Sequence, residues 1–343
     1  MRFGLFGSAT ARHGGPDVDS GLGYKQFIDY NIEAEALGYH STFLVEHHFT
    51  GAGQVSASLS LLTWLAAKTR TLRLGTAVLV LPWHNPVLLA EQAATIDLLS
   101  GGRLDFGVGK GYRHNEFAGC CVPIEEADAR FNENLDVIVK SWTSKQRFSH
   151  HGKYWNFADI IVEPPTAQKP HPPMWMAAGS PGSIGQVAER GYNLLLDQFA
   201  SLEAIGERVA WFKAEVEKRG RTFDPLEVGV ARAFYVAKDE ADKAAALEQR
   251  LEAQRHFAAL SKSADGTQSK ASIMAFSDTR EASEEAALYG TPDEIAAKLE
   301  RLRGLGVEYV LLNGGGLAQE SLRRFARELM PAFADGARMR DAG

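Results

Sequence analysis

The chain has 343 residues, 45% hydrophobic and 23% charged, proportions that allow a large core without disulfides or structural metal and exclude disorder of the bulk. A net charge of -6 argues against a nucleic-acid partner, which needs clustered basic charge, and points to a small-molecule ligand. The two cysteines, Cys120 and Cys121, are adjacent and make neither a disulfide framework nor a CxxC zinc pattern; with no signal-like or membrane-spanning apolar run, a cytoplasmic protein free of membrane is expected.

Short apolar runs rich in β-branched residues alternate with longer amphipathic segments, the pattern of βα units around a parallel sheet. In chain order the predicted strands are residues 2–6, 41–46, 72–80, 103–108, 174–178, 193–197, 226–237 and 307–313. Helices are predicted at 24–37, 58–69, 86–100, 129–143, 183–190, 203–219, 240–260 and 292–303, with a closing helix at 319–333. The helix after Thr291 carries its own punctuation: Thr291 and Glu294 form a Thr-x-x-Glu capping box, Pro292 suits the first turn, and Ile295, Leu299 and Leu302 share one face.

Eight repeats of roughly 30 residues make about 250, the size of a TIM barrel. About 90 residues remain, and loss of apolar periodicity places them at 112–128, 144–173 and 261–289. No Pro/Gly/Ser linker divides the chain, so the expectation is a single α/β domain over 1–343, a (β/α)8 barrel whose long insertion loops act as lids.

Catalytic groups in such a barrel sit at the C-terminal strand ends and in the loops that follow. The second strand ends in Glu46-His47-His48. Successive strand residues face opposite sides, which groups Glu46 with His48 and keeps the two histidines from sharing an ion; no metal site is expected. Thr76 to Pro86 reads as barrel core followed by a proline-framed turn. After the fourth strand, Gly107, Gly109 and Gly111 let backbone approach a ligand closely, and Lys110 offers a cation to an anion. After the fifth, Gly179-Ser180-Pro181-Gly182-Ser183 offers hydroxyls and free N–H groups at a helix start, which suits a phosphate; the plainer alternative is that Ser183 only caps the helix. Gly314 to Gly316 is a second flexible candidate. The cysteine pair reads as small buried residues, and Arg323, Arg324 and Arg327 as a solvated helix face.

Leu44-Val45-Glu46-His47-His48-Phe49-Thr50, Gly75-Thr76-Ala77 with Val80-Leu81-Pro82 and Asn85-Pro86, and Ser100 through Val108 together resemble the bacterial luciferase-like family of flavin-dependent monooxygenases, in order and spacing as well as in residues. The resemblance implies reduced FMN and O2 acting on a small organic substrate through a flavin C4a-hydroperoxide. It places His47 beside the reactive edge of the flavin with Glu46 nearby, and makes Ala77 and Val78 a cis-linked pair under the isoalloxazine ring. Lys110, Gly179, Ser180 and Ser183 fall at cofactor-binding positions, the hydroxyls at the phosphate. It further implies a separate NAD(P)H:flavin reductase as partner, and a homodimer. Glycines at 109 and 179, where luciferase has cysteine and glutamate, speak against light emission. Some relatives use deazaflavin F420 for hydride transfer, which makes F420 the alternative cofactor; a flavin-binding protein without turnover is the alternative from another class.

Overall fold

The computed structural model describes residues 1–260, 266, 271–274, 276–314 and 319–334. Its strands are β1 (Arg2–Gly7), β2 (Ser41–Leu44), β3 (Arg73–Thr76), β4 (Leu79–Val80), β5 (Leu104–Gly109), β6 (Phe148–His151), β7 (Asn156–Ile160), β8 (Met174–Ala177), β9 (Asn193–Leu196), β10 (Val228–Val236), β11 (Leu288–Gly290) and β12 (Tyr309–Asn313). The helices are α1 (Leu22–Ala36), α2 (Ser58–Lys68), α3 (Pro86–Leu99), α4 (His114–Gly119), α5 (Ala127–Thr143), α6 (Pro181–Arg190), α7 (Leu202–Lys218), α8 (Glu240–Leu260), α9 (Arg280–Glu285), α10 (Pro292–Gly304), α11 (Gln319–Glu328) and α12 (Met330–Phe333).

Parallel pairing runs β1–β2–β3–β5–β8–β9–β10–β12 and returns from β12 to β1, an eight-stranded closed barrel of the expected kind. Its last seam is β9 on β10, with Leu194 opposite Val228 and Leu196 opposite Val230. Alternation divides each strand between two apolar layers. Inward residues Phe43, Trp175, Leu195, Tyr309 and Leu311 fill the barrel interior, with Phe43 and Tyr309 each edge-on to Trp175 at ring separations of 5.6 Å. Outward residues such as Leu44, Phe106 and Val230 meet the helix layer, where Leu62, Leu65, Ile138 and Phe212 are fully buried.

Gly109 and Gly111 line the cavity described below, and Gly107 and Gly109 have a packing use besides the one predicted. A Cβ on Gly107 would lie 1.7 Å from the carbonyl oxygen of Thr76, and one on Gly109 would lie 2.5 Å from Cγ2 of Val78. They admit the neighbouring strand, so close approach here is first a matter of strand packing.

The predicted strand 72–80 is in fact two pieces. The chain turns out of β3 through a cis peptide bond between Ala77 and Val78, then resumes as β4, which pairs with Val108 and Gly109 at the end of β5. The insertion loops contain structure that apolar periodicity missed. Residues 112–128 hold α4. Residues 144–173 hold the β6–β7 antiparallel hairpin, which has no fully buried face to print a pattern and is anchored instead by the Glu133 carboxylate, which accepts N–H bonds from Lys153, Tyr154 and Trp155. Part of 261–289 lies outside the described residues, as do Gly315 and Gly316; the rest carries α9 and most of β11.

Two smaller expectations change. Cys120 is only partly buried and Cys121 is exposed, because they sit at the end of the short α4 beside solvent. On α11, Arg324 donates to the carbonyls of Val236 and Ala237, so it closes the end of β10 and does not belong to a freely solvated face. The capping box is present as read: Thr291 and Glu294 exchange side-chain to backbone bonds, and Ile295, Leu299 and Leu302 are buried. Glu294 also holds Lys243 of α8 at 2.8 Å, and Lys243 lies 2.9 Å from Glu284 of α9.

Candidate active site

The C-terminal ends of the barrel strands open into a cavity of about 1090 Å³. All eight residues singled out from the sequence reach it: Glu46 and His47 from the end of β2, Ala77 and Val78 from the cis-linked turn, Lys110 after β5, and Gly179, Ser180 and Ser183 after β8. Positions up to 137 residues apart in sequence thus line one cavity, because parallel strands deliver all their C-terminal ends to the same face.

Glu46 and His47, adjacent in sequence, belong to different networks. Glu46 is buried and accepts the backbone N–H of Val80 at 2.7 Å, while His84 and His48 approach it through Nε2 at 2.8 and 3.1 Å. Burial alone would raise its pKa; the hydrogen bonds from the two histidines and from Val80 outweigh it and hold the carboxyl at about 2. The alternation rule, which grouped Glu46 with His48, therefore describes the structure better than a Glu46–His47 pairing. Glu46 ties the end of β2 to β4, two residues beyond the cis-linked Ala77 and Val78.

His47 points its Nδ1 at Oε1 of Glu116, 3.0 Å away, and the same oxygen accepts the backbone N–H of His48 at 3.0 Å. A carboxylate only accepts, so the shared proton sits on Nδ1 and the neutral ring keeps Nε2 as its basic nitrogen. Burial lowers the pKa of His47 and prevails over the opposing pull of Glu116. The result is a histidine with fixed tautomer and orientation in a cavity wall, an arrangement suited to accepting or returning a proton.

Glu116 lies on α4, in a segment read from sequence as an insertion loop, and Arg113 just precedes it. Neither was singled out. The only available signal was an ion-pair spacing of three residues, and nothing in it shows a partner 69 positions away. Arg113 is 1% exposed; its Nη1 lies 3.6 Å from Glu116, and its guanidinium stands over the ring of Phe257 at 5.0 Å. Beyond it the wall is aromatic, with Phe199 and Phe257 4.9 Å apart. Tyr112 stays a neutral phenol, pushed up to about 12 by burial against the pull of Arg113.

The opposite side of the cavity is wetter. Ser180 and Ser183 complete a capping box at the start of α6, their hydroxyls 2.9 Å apart. The helix thus begins at Pro181, two residues earlier than predicted, with Ser180 as the cap, since its side chain accepts from the Ser183 N–H. Lys110 is half-exposed and pairs with Asp128 at 2.7 Å. Hydroxyls, an N-terminal helix dipole and one mobile cation favour an anionic group at this rim. Among the described residues no group of three or more His, Cys, Asp or Glu side chains is placed to hold a metal ion, and no helix is long and apolar enough to cross a membrane.

Comparison with known proteins gives the architecture a lineage. The monooxygenase RslO1 from Streptomyces bottropensis superposes with a TM-score of 0.84 at 25% identity, covering 97% of this chain and all of that one. An FMNH2-dependent dimethylsulfone monooxygenase from Pseudomonas putida is 28% identical across 92% of this chain and 93% of its own length. An F420-dependent glucose-6-phosphate dehydrogenase from Amycolatopsis mediterranei is 25% identical across 90% and 95%. The luciferase-like monooxygenase family model matches residues 1–309. By fold, by strand-end residues and by this match, the chain belongs to the luciferase-like monooxygenase family.

Proposed function

We propose that this protein is a monooxygenase that uses reduced FMN and O2 to insert one oxygen atom into a small organic substrate. The observation that carries the reading is the single cavity in which His47, with its tautomer set by Glu116, faces the same space as the Ser180–Ser183 rim. The match to an FMNH2-dependent monooxygenase over 92% of this chain supports the choice of cofactor.

The residues present fit such a cofactor. The cis-linked Ala77 and Val78 line the cavity, and the Val78 side chain packs so closely against Gly109 that a side chain at 109 would collide with it. A ring system would rest on this pair, and its phosphate would sit at Ser180, Ser183 and Gly179, with Lys110 turning from Asp128 to meet it. Reduced FMN, when bound, supplies the electrons that activate dioxygen. His47 holds or moves a proton through Nε2 at the deep wall. Glu116 fixes that histidine, and Glu46 fixes the turn beneath the ring. Phe199, Phe257 and the lid carrying α4 exclude water from the reacting centre.

A separate NAD(P)H:flavin reductase as the source of reduced FMN is part of the proposal, as no Gly-x-Gly-x-x-Gly fingerprint occurs for a second nucleotide. So is a homodimer: the adjacent helices α2 and α3 leave Trp64, Leu88 and Leu99 more than half exposed, a surface suited to another copy. The second reading, hydride transfer with F420, draws on the dehydrogenase relative.

The test is to supply reduced FMN and labelled dioxygen with a panel of small organic substrates and follow the label into product. One labelled oxygen atom per product supports the proposal. Product formed only with reduced F420, or FMN that fails to bind while F420 binds, overturns it.

A further inference from the structure

Four of the described arginines are buried; Arg208 is held by Asp197 at 2.7 Å, and the other three, at the barrel mouth, differ in what their nitrogens bind. Arg250 lines the cavity but donates through Nε and Nη2 to the carbonyls of Ser283 and Gln198. Arg232 has unpaired nitrogens, but its neighbours Ala231 and Ala233 are the residues that face the cavity, so Arg232 lies behind the wall. Arg113 alone among the three both lines the cavity and leaves two nitrogens, Nε and Nη1, without a hydrogen bond.

A guanidinium does not lose its proton in a protein, and burying it without hydrogen bonds is costly. Glu116 offsets only part of that cost. Its Oε1 already accepts the His47 ring N–H and the His48 backbone N–H, and it stands 3.6 Å from Nη1, beyond hydrogen-bond reach. The rest of the surroundings is π-face: Phe257 at 5.0 Å and Tyr112 at 5.7 Å from Cζ, continued by Phe199. Stacking holds the guanidinium in place while Nε and Nη1 stay unpaired.

We propose that Arg113 is a specificity-determining residue that binds an oxyanion of the substrate, so that the substrate class is a flat, apolar body carrying a carboxylate or sulfonate. The reading rests on the oxidative function proposed above for the same cavity. The aromatic wall accepts the apolar body and the guanidinium accepts the oxyanion; through Glu116 the same anchor is one residue removed from His47, so the bound molecule lies beside the proposed proton carrier. A cationic substrate is disfavoured at this end of the pocket by the same charge.

The test is equilibrium binding in phosphate-free buffer, which needs no turnover and so stands or falls independently of the oxygen-transfer reaction. Benzoate and benzenesulfonate are compared with the uncharged benzamide and benzyl alcohol as probes. Wild type is expected to bind the anions about tenfold to a hundredfold more tightly, the range of a charged hydrogen-bonded contact. Arg113→Gln should reduce that preference to about twofold or less while still binding FMN. The wild-type comparison remains decisive if the variant does not fold. Equal affinity of wild type for charged and neutral probes overturns the proposal, as does an anion preference that survives in Arg113→Gln or is lost instead in Lys110→Ala, which would place the anion at the rim.

Discussion

The two sides of the cavity use polar groups in opposite ways. On the deep wall, Glu46, Arg113 and Glu116 are at most 3% exposed; the two carboxylates form fixed hydrogen-bonded networks with His47, His48 and His84, and Arg113 lies beside them. On the rim, Ser180, Lys110 and Asp128 are open to solvent, and their contacts are with one another. Charge in a buried network acts at full strength and tolerates little change in geometry, whereas exposed pairs are screened and exchangeable. A wall built this way suits chemistry, which needs exact placement; a rim built this way suits capture and release of a large cofactor.

The largest effect should come from His47→Ala. It should lower product formation by about a hundredfold or more, the worth of a positioned acid/base group, with FMN affinity within about threefold of wild type as read by fluorescence quenching. Comparable losses of affinity and turnover would show that wall and rim do not divide the work.

Glu116→Gln comes next, with turnover reduced about tenfold. Its diagnostic is a pH profile. The neutral, basic form of His47 is present above its lowered pKa and is lost as pH falls through it. Removing Glu116 removes a charge that pulls that pKa upward, so the acid limb should move to lower pH. An unchanged limb would assign it to another group.

Glu46→Gln should act on stability more than on chemistry, costing about 3 kcal/mol at neutral pH because it breaks a buried, paired charge. The Glu46 carboxyl is depressed to about 2 from an ordinary 4.5, so its contribution is fully present above pH 4.5 and disappears as pH falls toward 2. The gap in Tm between wild type and variant should therefore narrow on acidification. His48, whose pKa is raised by the Glu46 hydrogen bond, contributes oppositely: its share is present below the ordinary histidine value near 6.5 and is lost as pH rises through the raised one.

The smallest effects belong to the rim. Ser180→Ala should weaken FMN binding about fivefold and cost about 1 kcal/mol through the lost helix cap. Lys110→Ala should weaken it by less, and the difference should vanish in high salt. A salt-independent loss at Lys110 would mean that this side is less open than its exposure indicates.

The same contrast governs what was legible in the sequence. The barrel was readable because buried parallel strands print continuous apolar runs and helices print a 3.6-residue period. The rim residues and His47 were readable because they stand at strand ends inside short motifs. Glu116 and Arg113 were not, since they lie on and just before a six-residue helix too short for periodicity, and their importance comes from partners distant in sequence. The break at Ala77 and Val78 was equally silent in the apolar pattern, which runs unbroken from Leu72 to Val80 apart from Arg73, Gly75 and Thr76; it was named only through family likeness.

Glu294 both starts α10, by accepting the Thr291 N–H, and clamps Lys243 of α8, the helix that also presents Arg250 and Phe257 to the cavity. The two tasks share one side chain, so mutations at Thr291 and Lys243 should be epistatic, because both act through Glu294. In the drift of such a sequence, the pocket wall and the start of a distant helix are inherited together: changing either is cheapest after the other has already been lost.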